Sequence, residues 1–364
     1  MSASHAAASQ RFNLRLLLLV LAIGIGVNVV GVGHLLLGLR RVLSPADLAL
    51  LLRFSGVLLL VLIPAAGIFS LVNQFAFWEG WLEGLPRAEQ LFAGSADAGA
   101  SHRCYVVYLD GIHQLERDHP PRVSAFLEAL EQRHQRDTLL VRGLETYTVM
   151  PVALAEDAGS AWFWRRLFAL QEQHPNLLVQ LLAAIFVQGN NVIKVGISSD
   201  RRYGPILNYE LALKICLRLA QVGFRPDGGS RIALVGYSGG AEMAMGVADY
   251  LRRISRVPVS IISFCGVFSG NQLVSSVDGI TTIVGSRDPV AAFGRIAYPG
   301  RSPLLPLSNW NKAVARGFID RREIAGMNHN GNSGPFSDAF RLPVITEILA
   351  ALERSAAAPA QRDC

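Results

Sequence analysis

The stretch RIALVGYSGGAEMA, residues 231–244, decides how this chain is read. An apolar run leads straight into Gly236-Tyr237-Ser238-Gly239-Gly240, and helix-forming residues follow. That is the pattern of a buried strand, a tight turn and a helix. Gly236 and Gly240 leave room for a strained turn that lifts Ser238 above a sheet. The helix behind it offers free backbone N–H groups and a favourable dipole. The plain alternative is a small residue in a glycine turn, since lone G-x-S-x-G matches arise often by chance. No Lys-Ser/Thr pair follows the glycines, so the turn is not a phosphate loop.

Outward from this turn, strand-like and helical segments alternate. CYVVYLDG (104–111), TLLVRGL (138–144), NVIKVGIS (191–198), VSIISFCGVF (259–268) and GITTIVGS (279–286) read as strands. RVSAFLEALEQRH (122–134), NYELALKICLRLAQVG (208–223), AEMAMGVADYLRRI (241–254) and the segment from about 343 to 353 read as helices. Such alternation implies a mostly parallel sheet with helices on both faces. In that architecture chemistry gathers at the carboxyl ends of the strands. Ser238, the Asp110-Gly111 turn and Asp288 all fall at such ends. The segment 151–190 breaks the alternation with two apolar helical patterns, WFWRRLFALQ and NLLVQLLAAIFVQ. It reads as a cap over the site, a membrane-touching face or ordinary core helices.

A serine hydroxyl is a poor nucleophile unless a base takes its proton and a third group orients that base. LVGYSGGAEMA, set between a strand and a helix, resembles the nucleophile elbow of the α/β-hydrolase superfamily, and by strand order the resemblance extends over about 104–353. It implies an α/β-hydrolase fold with a helical cap insertion, a serine esterase or lipase-like activity without cofactor, and the chain order serine, acid, histidine. Seven of the eight histidines precede Ser238, and His329 alone follows it, in the loop GMNHNGNSGPF. For the acid, Asp249 lies inside a helix and Asp278 precedes a strand. Asp320 and Glu323 follow no clear strand, whereas Asp288 comes just after GITTIVGS. The expected triad is Ser238, Asp288 and His329, with Asp320 the second choice of acid. The resemblance further implies an oxyanion hole of the Gly239 N–H and a second amide from YLDGI. There Asp110 stands where many relatives carry histidine, so the second donor is Ile112 or Gly111.

The amino-terminal part has another character. Residues 16–39 and 54–77 are apolar runs of membrane-spanning length, flanked by Arg11, Arg15, Arg40 and Arg41 and ending in Trp78 and Trp81. They are expected to form a two-helix transmembrane hairpin, with Gly24, Gly26, Gly31, Gly33 and Gly56 permitting close packing. The expected organisation is a membrane anchor over 1–81, a linker over 82–101, a hydrolase domain over 102–355 with its cap-like insertion near 151–190, and a disordered tail over 356–364.

Composition supports this and excludes other classes. Apolar residues make up 51% of the chain and charged ones 17%, a balance that membrane segments produce. The net charge is +6, but the basic residues are scattered arginines with Lys194, Lys214 and Lys312 as the lysines, so no nucleic-acid patch forms. Cys104, Cys216, Cys265 and Cys364 show no metal-ligand spacing, and no metal or other cofactor is expected. The expected protein is an integral membrane one, of the plasma membrane first, with a small-molecule or lipid ester as its partner. An acyltransferase, a thioesterase, or a non-catalytic protein keeping the fold would fit the same residues. Neither orientation nor oligomeric state is written in the sequence.

Overall fold

The structure is a computed structural model of the 364-residue chain. It describes residues 102–357 except 115–118, 135–136, 148–165, 167–168, 171–174, 201–203, 227–228 and 271–276; before residue 102 it describes 46, 49, 50, 53, 91 and 92. The chain divides into two compact units, Met1–Ala66 and Gly67–Cys364. In the first, the four described residues are helical. Among the described residues no helix is long and apolar enough to cross a membrane. Both expected spans, 16–39 and 54–77, lie outside the described residues.

The second unit is an α/β fold. Its strands are β1 (Cys104–Leu109), β2 (Thr138–Val141), β3 (Arg231–Tyr237), β4 (Val259–Phe264), β5 (Ile280–Gly285) and β6 (Ile319–Ile324). All pair in parallel, in the order β2-β1-β3-β4-β5-β6. Among the described residues its longer helices are α1 (Pro121–Glu131), α2 (Leu177–Ser199), α3 (Gly204–Gln221), α4 (Gly240–Ser255), α5 (Pro289–Ala297), α6 (Asn309–Ala315) and α7 (Arg341–Ala357).

Side-chain alternation along β1 sorts the core into two layers, as a period of two requires. Tyr105, Val107 and Leu109 pack with side chains of α2, α3, α4 and α6 on one face. Cys104, Val106 and Tyr108 pack with α1 and α7 on the other. Both faces are covered, so β1, β3 and β4 are near-continuous apolar runs rather than alternating ones. Leu91 and Phe92, from the expected linker, also join the first layer, Phe92 against the ring of Phe224 at 5.5 Å.

Helices α5 and α6 have no counterpart in the sequence reading, and three further elements differ from it. NVIKVGIS, expected as a strand, is the second half of α2, which runs unbroken across 190, the expected end of the cap-like insertion. Its buried residues Asn191, Lys194, Val195 and Ser198 recur at helical spacing and turn the β-branched residues between them to the less buried sides. IDRREI is an edge strand, β6, hidden from a hydrophobic reading by its exposed charged residues. Helix α7 passes 355 and reaches Ala357; the rest of the expected tail lies outside the described residues.

The chain leaves β1 toward β2 on one side, and β3 then lies on the other. A crevice opens at such a reversal, beyond the carboxyl ends of the two strands. Leu109 of β1 pairs with Gly236 of β3, so residues 110–112 and 237–239 leave the sheet side by side.

Candidate active site

Ser238 sits between β3 and α4 with φ of 50°, in the left-handed region that residues other than glycine rarely adopt. The turn can close that far because its glycines lack side chains. A Cβ on Gly236 would lie 2.7 Å from the backbone N and Cα of Ala241, and one on Gly240 would run into the carbonyls of Leu109 and Asp110. Neighbouring chain holds the strained residue: the Ser238 N–H donates to Phe264 O at 3.3 Å, and its carbonyl accepts from Ala241 and Val267. Over-determination of this kind is what lets a strained residue persist at a site.

Ser238 Oγ lies 3.0 Å from His329 Nε2, and His329 Nδ1 lies 3.0 Å from each carboxylate oxygen of Asp288. All three residues are buried. Since the carboxylate can only accept, Nδ1 carries the proton and Nε2 is left to accept from the serine hydroxyl. Three elements therefore meet here: the turn after β3, the turn after β5 and the loop after β6.

Asp288 has a second task as the N-cap of α5, with Oδ1 accepting from Val290 N–H (3.0 Å) and Ala291 N–H (2.8 Å). Burial pushes its pKa up, but hydrogen bonds from His329, the Ala291 N–H and the Cys265 thiol outweigh that and hold it below the usual carboxylate value. The His329 loop is clamped in turn. Asn328 Oδ1 accepts the His329 N–H at 2.8 Å, and the Tyr237 hydroxyl donates to the His329 carbonyl at 3.0 Å and meets the Asn330 side chain. The Tyr237 ring stacks on the imidazole at 5.6 Å.

Beside Ser238 runs the loop Asp110-Gly111-Ile112. A Cβ on Gly111 would come 3.4 Å from Ser238 Cβ, and one on Gly239 would come 3.1 Å from Ile112 Cγ2. The Gly111 N–H donates to Asp110 Oδ1 at 2.7 Å. No partner for the Ile112 N–H or the Gly239 N–H occurs among the described residues.

The other acids considered from sequence lie elsewhere. Asp320 pairs with Arg322 and Arg354, each at 3.0 Å, and Asp249 pairs with Arg253 at 2.9 Å. Asp278 bonds the Val259 N–H at the opening of β4. His113 is exposed.

Sequence reasoning passed over Cys265, Glu242 and the clamps Asn328 and Tyr237. Cys265, at the end of β4, also has a positive φ of 49°. Its sulfur, an Asp288 carboxylate oxygen and a ring nitrogen of His329 all lie within 4.8 Å of one another. Sulfur, imidazole and carboxylate suit a zinc ion chemically, but Nδ1 holds a proton shared with Asp288, and a metal would have to displace it. Glu242, in the first turn of α4, accepts from the N–H and hydroxyl of Ser269 and pins the loop after β4 below the turn. For Glu242, Asn328 and Tyr237 the signal in the sequence is nearness to Ser238 or His329, and Cys265, at the end of a separate strand, carries none.

No family model matches the sequence, and no curated protein matches it. Among solved structures, the chain is similar to the monoclinic form of an esterase from Pyrobaculum calidifontis, at 12% identity over 47% of this chain and 72% of that one, with a TM-score of 0.28. It is also similar to LpqC, a poly(3-hydroxybutyrate) depolymerase from Bordetella parapertussis, at 13% identity over 73% of this chain and 85% of that one, with a TM-score of 0.34.

Proposed function

We propose that this chain is a membrane-anchored serine hydrolase of the α/β-hydrolase type that cleaves an apolar carboxylic ester through an acyl-enzyme. The observation that carries the reading is the unbroken hydrogen-bond chain from Ser238 Oγ through His329 to Asp288, each link 3.0 Å long. A serine, a histidine and an aspartate meeting at the ends of three strands, with the serine on a strained strand-to-helix turn, serve nucleophilic acyl transfer well.

In the first half-reaction Ser238 Oγ attacks the ester carbonyl carbon while its proton passes to His329 Nε2. The negative charge that develops on the carbonyl oxygen meets the unspent N–H groups of Gly239 and Ile112. The Gly111 N–H is committed to Asp110, which favours Ile112 as the second donor. His329, now cationic, stays oriented by Asp288 and returns the proton to the departing alkoxide, leaving an ester on Ser238. Water then enters, gives a proton to His329 and attacks the acyl carbon; the acid leaves and Ser238 recovers its proton.

The anchor rests on the apolar runs 16–39 and 54–77. An apolar ester fits a site tethered at a bilayer, and a lipid or acyl ester is the substrate class this favours.

The test uses full-length protein in detergent with a fluorophosphonate probe and p-nitrophenyl esters of rising chain length. Labelling and turnover that vanish together in Ser238→Ala support the reading. A wild-type protein left unlabelled and inactive beside a labelled reference hydrolase overturns it. The chain-length optimum then reports the acyl group.

A further inference from the structure

Behind the loop that lies beside Ser238 is a second buried aspartate–histidine pair that takes no part in the triad. Asp110 Oδ2 is 2.8 Å from His119 Nδ1, and both side chains are only 5% exposed. Asp110 Oδ1 accepts from the Gly111 N–H at 2.7 Å and from the Tyr108 hydroxyl at 3.0 Å. His119 Nε2 in turn accepts from the Gly143 N–H at 3.2 Å. This fixes the tautomer. Nε2 must be bare to accept from Gly143, so Nδ1 carries the proton and donates it to Asp110.

The remaining polar groups of the loop are spoken for with equal economy. The Asp110 N–H donates to Thr146 Oγ1, and the Asp110 carbonyl accepts from the Tyr147 hydroxyl. Burial pushes the phenol pKa of Tyr108 and Tyr147 well up, with Asp110's charge adding to it, so both hydroxyls remain protonated donors. The Gly111 carbonyl accepts from the Gln114 N–H, and the Ile112 carbonyl accepts from Asn191 Nδ2 at 2.8 Å. A trans peptide is planar, so tying the Gly111 carbonyl to one side aims the Ile112 N–H to the other. Among the described residues, that N–H is the one backbone donor of 110–112 left without a partner.

We infer that Asp110 and His119 form a positioning pair that locks the loop 110–112 so that the Ile112 amide is held ready for the oxyanion. Asp110 touches no reacting atom; it acts through the Gly111 amide and the peptide plane that follows. The pair requires Asp110 as an acceptor on both oxygens and His119 as one donor and one acceptor. An amide at 110 breaks that pattern. One way round its NH₂ group would face the His119 Nδ1–H, and switching the tautomer would only turn Nε2–H against the Gly143 N–H; the other way round it would face the Gly111 N–H.

This inference rests on the hydrolase reading, and the experiment separates the two. Full-length wild type, Asp110→Asn, His119→Leu and His119→Gln are compared for kcat and KM on a p-nitrophenyl ester, for inhibition by a trifluoromethyl ketone and for Tm. The ketone forms a tetrahedral adduct with the serine and so reports the oxyanion site. Deleting one oxyanion donor costs about 10²- to 10³-fold in kcat, and a misaimed donor should cost somewhat less, roughly 10- to 100-fold. Asp110→Asn and His119→Leu are expected to lose that much in kcat, with KM within about twofold and ketone affinity falling in parallel with kcat. His119→Gln, whose amide offers one donor and one acceptor, is expected to recover most of the loss.

The inference is overturned if Asp110→Asn keeps both kcat and ketone affinity within about twofold of wild type. A lowered Tm with unchanged kcat per folded molecule also overturns it, since the pair would then be structural only. Equal losses in His119→Gln and His119→Leu, without rescue, count against it as well. If wild type itself shows no Ser238-dependent turnover, the hydrolase reading has failed and the pair's role with it.

Discussion

Asp288 faces His329 with both carboxylate oxygens 3.0 Å from Nδ1, and one of those oxygens also caps helix α5. Orientation of the base and closure of the helix thus share one side chain, and two substitutions separate them. Asparagine is a good N-cap, so Asp288→Asn should keep α5 intact while presenting His329 with the wrong partner. We expect kcat to fall by roughly 10³- to 10⁴-fold, with Tm lowered by no more than the lost His329 contact. Asp288→Ala should lose the same activity and about 1 kcal/mol more stability as the cap disappears. Asp320→Asn, which only releases Arg322 and Arg354 at the edge of the sheet, should leave kcat within about twofold. Steady-state kinetics and thermal melts on the three variants check this.

A depressed carboxylate pKa makes stability depend on pH in one direction. Asp288 is held below the ordinary value in the folded protein, while in the unfolded chain it returns to about 3.9. Its contribution is therefore full above that unfolded value and is lost as pH falls through the folded one. The gap in Tm between wild type and Asp288→Asn should be constant from about pH 5 to pH 8 and should close below about pH 4. Melting curves across that range test it. A gap that widened toward acid would mean that burial, not His329, governs the group.

How far the sequence discloses this protein can be judged from particular residues. The turn GYSGG was legible because glycines at 236 and 240 have few other uses between a strand and a helix. His329 was legible for want of rivals, and Asp288 because it directly follows an unmistakable strand. Helix α2 was misread at NVIKVGIS because Val192, Ile193, Val195 and Ile197 favour strands locally. Its true face is polar as well as buried: Asn191 reaches the Ile112 carbonyl, and the Ser198 hydroxyl reaches Asn208 at 2.7 Å. A hydrophobic period cannot reveal a buried face made of amides, hydroxyls and an ammonium group. The Asp110–His119 pair was hidden for a related reason, since its partners come from three separate segments.

The glycines of the turn are expected to tolerate no side chain. At Gly236 a methyl would press on the backbone of Ala241 at 2.7 Å, and at Gly239 it would meet the Tyr147 hydroxyl at 2.8 Å. The first contact is backbone and cannot yield, so Gly236→Ala should cost about 1–3 kcal/mol of stability. The second neighbour is a side chain that holds the Asp110 carbonyl. Gly239→Ala should therefore fold more nearly normally yet lose activity by displacing that clamp. Tm and kcat measured on both variants would distinguish them, and a Gly236→Ala protein as stable as wild type would contradict the packing.

The buried thiols are expected to be inert. Burial pushes the Cys265 thiol far up and the Cys216 thiol to about 12, and Cys104 is raised by the same cause. The reactive thiolate is then nearly absent at neutral pH. Iodoacetamide at pH 8 should leave ester turnover unchanged in the native protein. Rapid inactivation tracked to Cys265 by peptide mapping would show that the site opens more than its burial implies.

Lys194 lies on the buried side of α2. It is 2% exposed, and burial lowers its ammonium pKa to about 7, with Glu210's carboxylate opposing the shift and Lys214 adding to it. In the unfolded chain the value is about 10.4. Between about pH 7 and pH 10 unfolding therefore takes up a proton at this position, and that uptake makes the folded state relatively more stable as pH rises. One proton corresponds to about 1.4 kcal/mol per pH unit at most. Lys194→Met keeps much of the length and removes the titration. Chemical denaturation of wild type should show stability climbing across that window relative to the variant, and the two slopes should agree below about pH 6, where the lysine is charged in both states. Parallel curves for wild type and Lys194→Met from pH 7 to pH 10 would mean that the ammonium group is hydrated or fully paired within α2 and that its burial does not perturb it.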